Sequence, residues 1–135
     1  MSNQRTPDGE SAAPLDAALG LTRAADEGDA AVLRLDPTPV AVGATDPVTY
    51  LHGGALATCI DTAAWEAVVR VSDDAWVVAD MRIDFVRLAR HEVHRVRATA
   101  RKIGRAQAVA DVEISAWDDP TRLVALGRVL LAKVG

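Results

Sequence analysis

The chain is poor in the residues that build disulfides, metal centres and nucleic-acid surfaces. Among 135 residues there is one cysteine, Cys59, so no intramolecular disulfide can form. The three histidines stand in no Cys/His spacing that would hold a metal, and none is expected. Aromatic residues make up only 4 %, and there is no basic excess: 15 Lys and Arg stand against 19 Asp and Glu, for a formal net charge of −4. That balance gives no electrostatic footprint for a nucleic acid. A long apolar run free of charge is also missing. The stretch from Gly53 to Val71 is interrupted by Asp61 and Glu66 and has more Ala than Leu, which argues for a buried helix and against a membrane span. Met1 to Ser11 contain no apolar segment of a secretory signal, and Arg5 is the only basic residue before Arg23, so no lipid-binding arm is expected. The expected setting is reduced and cytoplasmic.

What is present suits a packed core. Half of the residues are apolar, and the length fits one domain. Residues 1–13 are polar and carry Pro and Gly, and are expected to be a disordered N-terminal tail; residues 14–135 are expected to form the domain. A short helix or turn is expected over 14–19. Strands follow at about 19–25 and 30–35, separated by the turn signal Asp26-Glu-Gly-Asp. Asp36-Pro-Thr-Pro and Gly43-Ala-Thr-Asp-Pro mark a long loop up to His52.

Four strand-like runs follow the helix. Val77, Ala79, Met81, Ile83 and Phe85 alternate with Asp80, Arg82 and Asp84, the period-two pattern of a strand with one apolar face. Val96, Ala98 and Ala100 form the apolar side of the next run, and Ala106 to Ala116 that of the third. Leu123 to Val134 is apolar on nearly both faces and suits a central strand. A three-residue loop at Ile103-Gly104-Arg105 would pair Lys102 with Ala106, set Arg97 opposite Asp111 and Arg95 opposite Glu113, and require positive φ at Gly104. One apolar helix followed by an antiparallel meander implies an α+β fold, a sheet wrapped around the helix. Apolar residues such as Val78 and Val86 are expected on the open sheet face, so at least a dimer is expected.

The segment with chemical content is His52-Gly53-Gly54-Ala-Leu-Ala-Thr-Cys-Ile-Asp61-Thr-Ala-Ala-Trp65. Two glycines at a helix entry let the backbone approach a ligand. First-turn N–H groups have no intrahelical partner and sit at the positive end of the helix dipole, which suits an oxyanion. Asp61 falls two turns further on inside an apolar run, where a carboxylate must be paired, neutral or open to a cavity. Glu66, five residues on, lies about 140° round the helix and cannot pair with it; it is expected at solvent or an interface. Cys59 reads as a small core residue with no activating partner.

In these residues the chain resembles the hot-dog-fold acyl-CoA thioesterases. The branch it resembles is that of the phenylacetate-pathway thioesterase, in the 4-hydroxybenzoyl-CoA thioesterase superfamily. The family pattern is His-Gly-Gly, six residues, then a helical Asp; here Ala55 to Ile60 separate Gly54 from Asp61. Ile83-Asp84-Phe85-Val86-Arg87-Leu88-Ala89 and Lys102-Ile103-Gly104-Arg105 approach two further family motifs. The resemblance implies that the Gly54 N–H polarises a thioester carbonyl and that Asp61 acts as general base or as nucleophile. It implies that His52 shapes the loop and that a neighbouring subunit completes the site in a homodimer or homotetramer. Gly53, Trp65 and Val78 would line the substrate site. Arg87, Lys102, Gly104 and Arg105 would face coenzyme A phosphates. The substrate would be an acyl- or aryl-CoA or acyl-carrier thioester, with no separate cofactor. The chain departs from the pattern in three places. Asp46 stands where the family commonly has a water-holding Asn, Val77 and Val78 where it often has Ser or Thr, and Leu88 where it has Pro. A non-catalytic acyl-CoA or ligand-binding hot-dog protein is the alternative those departures leave open.

Overall fold

A computed structural model describes residues 13–135. The expected N-terminal tail therefore lies, apart from Ala13, outside the described residues.

Helix α1 (Pro14–Leu19) starts with Pro at a first-turn position, where a missing N–H costs nothing. It ends at Gly20, whose left-handed backbone (φ 91°) turns its N–H back onto the Asp16 and Ala17 carbonyls. A Cβ at Gly20 would lie 2.0 Å from the Asp36 carbonyl oxygen, so only glycine fits. Strands β1 (Leu21–Arg23) and β2 (Ala30–Leu35) form the expected hairpin, with β1 shorter than expected. The long loop holds a helical turn at Pro39–Ala41 and a small ribbon of β3 (Val42–Ala44) and β4 (Tyr50–Leu51). Helix α2 (Gly53–Val69) precedes β5 (Trp76–Phe85), β6 (His94–Ile103), β7 (Gln107–Ala116) and β8 (Asp119–Lys133).

The main sheet is antiparallel throughout, in the order β1-β2-β6-β7-β8-β5. It wraps around α2, which is the hot-dog arrangement. The helix lies on a floor of small side chains. Ala55, Ala63, Ala64 and Ala67 of α2 are buried, as are Ala98, Ala108, Ala110 and Ala125 of the sheet. On β8 a Cβ at Gly127 would come within 2.8 Å of Ile60 Cγ2. β8 sits between β7 and β5, which accounts for its apolar character on both faces.

Several expectations change in detail. Helix α2 stops at Val69, because the last turn tightens (Val71 N–H to Val68 carbonyl, 3.2 Å) and Arg70 turns away to clasp the β1–β2 turn. Its guanidinium donates to Asp26 Oδ2 and to the Asp29 carbonyl. Glu66 is buried, not at solvent. A register shift between Val78 and Asp80 on β5 turns Trp76 and Val78 toward the core ahead of Met81 and Ile83. Val77 and Ala79 therefore leave the expected apolar face, and Val78 does not lie on the open face. That open face carries Arg82, Asp84, Asp111, Glu113 and Arg128, and Asp111 accepts from Arg128 at 2.8 and 3.0 Å.

The β6–β7 hairpin slips two residues from the expected register. Arg97 faces Glu113, Arg95 faces Ser115 and Thr99 faces Asp111. The turn is Gly104-Arg105-Ala106, closed by the Gly104 N–H on the Gln107 carbonyl at 2.8 Å, and Gly104 does not have positive φ. A shift of pairing between Ala100 and Lys102 absorbs the extra residue. A slip of two preserves which face each side chain takes, so the apolar faces still coincide.

Candidate active site

The loop entering α2 is held from several sides. The His52 N–H donates to the Ala41 carbonyl and the Leu51 N–H to the Ala89 carbonyl, both at 2.8 Å. His52 is the N-cap of α2: its extended backbone precedes the first turn, and its Nδ1 accepts the Gly54 N–H at 2.8 Å. The backbone donor expected to grip a thioester carbonyl is therefore occupied by the imidazole of its own loop.

From Gly54 a stripe runs along the helix through Ala57 and Thr58 to Asp61, at spacings of three and four. These residues are half-buried or exposed, while Leu56, Cys59, Ile60, Ala63 and Ala64 are buried. Asp61 opens into a cleft of about 270 Å³, walled by Leu15 and Asp16 of α1, Ala57, Thr58 and Thr62 of α2, and Met81 of β5. Asp16 is 1 % exposed, and its Oδ1 accepts the Thr62 hydroxyl at 2.9 Å. Burial, and secondly the charge of Asp16, push the Asp61 carboxyl above the ordinary carboxylate range. The reverse holds for reactivity at Cys59. Burial pushes its thiol up to about 12, so it is a neutral core residue.

Asp61 lies seven residues beyond Gly54, about 10 Å along the helix. The carboxylate and the backbone donor of one chain thus share a face but are too far apart to act on one carbonyl.

A second cleft, of about 450 Å³, lies at the start of α2. It brings Gly53 and Arg87 together with Tyr50, Leu56, Phe85 and Leu88. A Cβ at Gly53 would touch the Phe85 ring at 3.4 Å. The remaining expected residues lie elsewhere. Asp46 is exposed in the loop before β4 and lines neither cleft. Trp65 is buried and donates its Nε1–H to the Trp76 carbonyl at 3.0 Å, fastening α2 to β5 instead of lining a cleft. Val78 packs on the core. Lys102, Gly104 and Arg105 sit at the β6–β7 turn, next to the end of β8, where the Lys133 N–H meets the Ala106 carbonyl. Phe85 pairs with Ala125 and Trp76 with Lys133, so Arg87 and the basic turn occupy opposite ends of the sheet. Among the described residues no group of three His, Cys, Asp or Glu is placed to hold a metal.

Asp16 and Met81 are site residues that sequence reasoning missed. An Asp two residues after a helix-starting Pro reads as an ordinary first-turn acid favoured by the helix dipole. Only tertiary packing buries it against Thr62.

A six-stranded antiparallel sheet curled around one long helix is the hot-dog fold. Residues 49–125, more than half of the chain, match the Thioesterase superfamily, and the chain belongs to that family. It is thereby a thioester hydrolase. A comparison with curated proteins gives no match. Among solved structures, it is similar to the Escherichia coli PaaI protein from the phenylacetic acid degradation operon. Identity is 26 %, coverage 92 % of this chain and 86 % of that one, and the TM-score 0.78. A Mycobacterium tuberculosis protein proposed to be an esterase is 28 % identical over 90 % of this chain and 97 % of that one, with a TM-score of 0.79. A thioesterase from Haemophilus influenzae shares the fold at 20 % identity, a TM-score of 0.73, and coverage of 89 % and 82 %.

Proposed function

We propose that the chain hydrolyses acyl- or aryl-CoA thioesters as a homo-oligomer, with Asp61 as the reacting carboxylate. The observation that carries this reading is Asp61 itself, half-buried in the cleft between α1, α2 and β5, on the helical stripe that begins at Gly54. A carboxylate disfavoured by burial and by a like charge is a stronger base than an exposed one. As general base it takes a proton from water while the water oxygen adds to the carbonyl carbon. The C–S bond then breaks and the thiolate leaves with that proton. As nucleophile it would add to the carbonyl carbon and expel the thiolate, leaving a mixed anhydride; water would then open it, releasing the acid, restoring the Asp61 carboxylate and supplying the thiolate's proton. The Gly54 N–H, at the positive end of the α2 dipole, is the proposed donor to the developing oxyanion. It must first exchange its His52 Nδ1 partner for the carbonyl, which makes His52 the residue that shapes the donor.

The 10 Å between Gly54 and Asp61 in one helix calls for a second copy, whose Gly54 would face this Asp61. β5 is an open edge of the sheet. Antiparallel pairing of two such edges would set the Arg87 end of one copy beside the Lys102–Arg105 end of the other. That arrangement would let basic groups from both copies meet the phosphates of one coenzyme A. Asp46 is proposed to orient water only in such a pair.

A thiol-release assay over short, long and aromatic CoA esters tests the reading, with Asp61→Ala as control. Release by the wild type and its loss in a folded Asp61→Ala protein are expected. Equal rates in the two would remove Asp61 from the mechanism. Binding of CoA thioesters with no release would return the chain to the ligand-binding alternative.

A further inference from the structure

The Asp61 cleft contains a second carboxylate for which the reaction described above has no use. Asp16 is almost wholly buried, yet it sits in the wall of the same cleft and accepts a hydrogen bond from Thr62, the residue next to Asp61. Burying an acid costs several kcal/mol or more unless partners compensate. We propose that Asp16 is a positioning residue for the hydrolysis. Its carboxylate, held against the cleft wall by the Thr62 hydroxyl, maintains a negative field at Asp61 and so sets how strongly Asp61 binds a proton. The proposal rests on the reading of Asp61 as the reacting carboxylate.

Among the described residues, Asp16 and Asp61 are the only titratable ones that line the cleft, and Asp16 is the only one in α1. On α2, Cys59 stays a neutral thiol, and Glu66 is buried more than a turn beyond Asp61. On β5 the cleft residue is Met81, and its neighbours Asp80 and Arg82 are exposed and alternate to the other face of the sheet. The direction of the Asp61 shift agrees, with Asp16 named as its second cause after burial.

The experiment compares wild type, Asp16→Asn and Asp61→Asn, using butanoyl-CoA and benzoyl-CoA as probes across a pH series. Asp16→Asn keeps an oxygen for the Thr62 hydroxyl and removes the charge. It is expected to move the acid limb of kcat/KM to lower pH and to reduce the plateau severalfold, with KM little changed. Asp61→Asn is expected to lose the rate. An unmoved limb and plateau in Asp16→Asn, with Asp61→Asn inactive, would overturn the positioning role and leave the reading of Asp61 standing. An active Asp61→Asn enzyme would overturn that reading. Carboxyl 13C NMR of the wild type needs neither turnover nor a variant that folds. There the Asp61 signal is expected to titrate above the ordinary carboxylate range. An Asp61 signal that titrates within the ordinary carboxylate range would overturn the proposal whatever the variants do.

Discussion

Gly127→Ala measures how closely the helix is pressed on the sheet. Gly127 pairs with Ile83 on one side and Val112 on the other, in the middle of the sheet. A methyl group there would sit 2.8 Å from Ile60 Cγ2 and 3.3 Å from its Cδ1. Carbon atoms at rest stay about 3.5–4.0 Å apart, so roughly 1 Å must be yielded. Ile60 is fully buried and, being β-branched in a helix, has essentially one χ1 rotamer available, so it cannot swing aside. The helix must lift. Overpacking of this kind costs about 1–3 kcal/mol, and the stiffer unfolded chain returns about 0.4–1 kcal/mol. A net loss of roughly 1–2 kcal/mol is expected, read as a lower urea midpoint at constant m-value. A double-mutant cycle isolates the contact. Ile60→Ala alone should cost about 2–5 kcal/mol, and distinctly less in the Gly127→Ala background, where the new methyl fills part of the space. Coupling of at least about 1 kcal/mol is expected. Additivity within about 0.5 kcal/mol would refute the close contact. Because Ile60 adjoins Asp61, kcat should fall in Gly127→Ala more than KM changes.

Asp61→Asn should reduce hydrolysis by about 10²–10⁴-fold, the usual contribution of a positioned base, while raising stability at neutral pH. The sign follows from linkage: its pKa is raised by folding, so its contribution is fullest in acid and is lost as pH rises through the folded value. Chemical unfolding of both proteins at pH 7 checks this, and a less stable variant would contradict it. His94 runs the other way. It is fully buried, and burial lowers its pKa against the weaker opposing influence of the Glu92 backbone and carboxylate. Stability should therefore fall as pH drops below the ordinary imidazole value of about 6.5. His94→Leu should flatten that slope in urea unfolding between acidic and neutral pH. Arg70→Ala should cost about 1 kcal/mol by releasing the clasp on Asp26 and Asp29, and should speed hydrogen exchange in the β1–β2 turn.

The features readable in advance were those that repeat along the chain. The apolar run of α2 and the alternation in β6 and β7 carry their own period, and the elements formed where expected. Gly54 and Asp61, seven residues apart, do lie on one face of α2, while His52 caps the helix and Gly53 faces the other cleft. What escaped depended on single residues that break a period. The register shift at Ala79 reverses the facing of Val77 and Val78, and composition gives no sign of it. The hairpin register was argued from opposite charges, yet Asp111 takes its two close hydrogen bonds from Arg128 on β8, and across the hairpin it meets Arg101 at 3.6 Å instead of the expected Arg97. Asp16 and Trp65 show the same limit at the site. One looks like a surface acid and is buried; the other lies one helical turn from Asp61 and is committed to the Trp76 carbonyl.

The alanine floor beneath α2 has a consequence for substrate choice. Small side chains on both layers bring helix and sheet close together, with a Cβ at Gly127 already within 2.8 Å of Ile60 Cγ2. On the proposed reading of the Asp61 cleft, an acyl group would be judged beside the helix, by residues such as Leu15, Thr58 and Met81, and exchanging those few side chains is expected to retune selectivity without disturbing the sheet and helix.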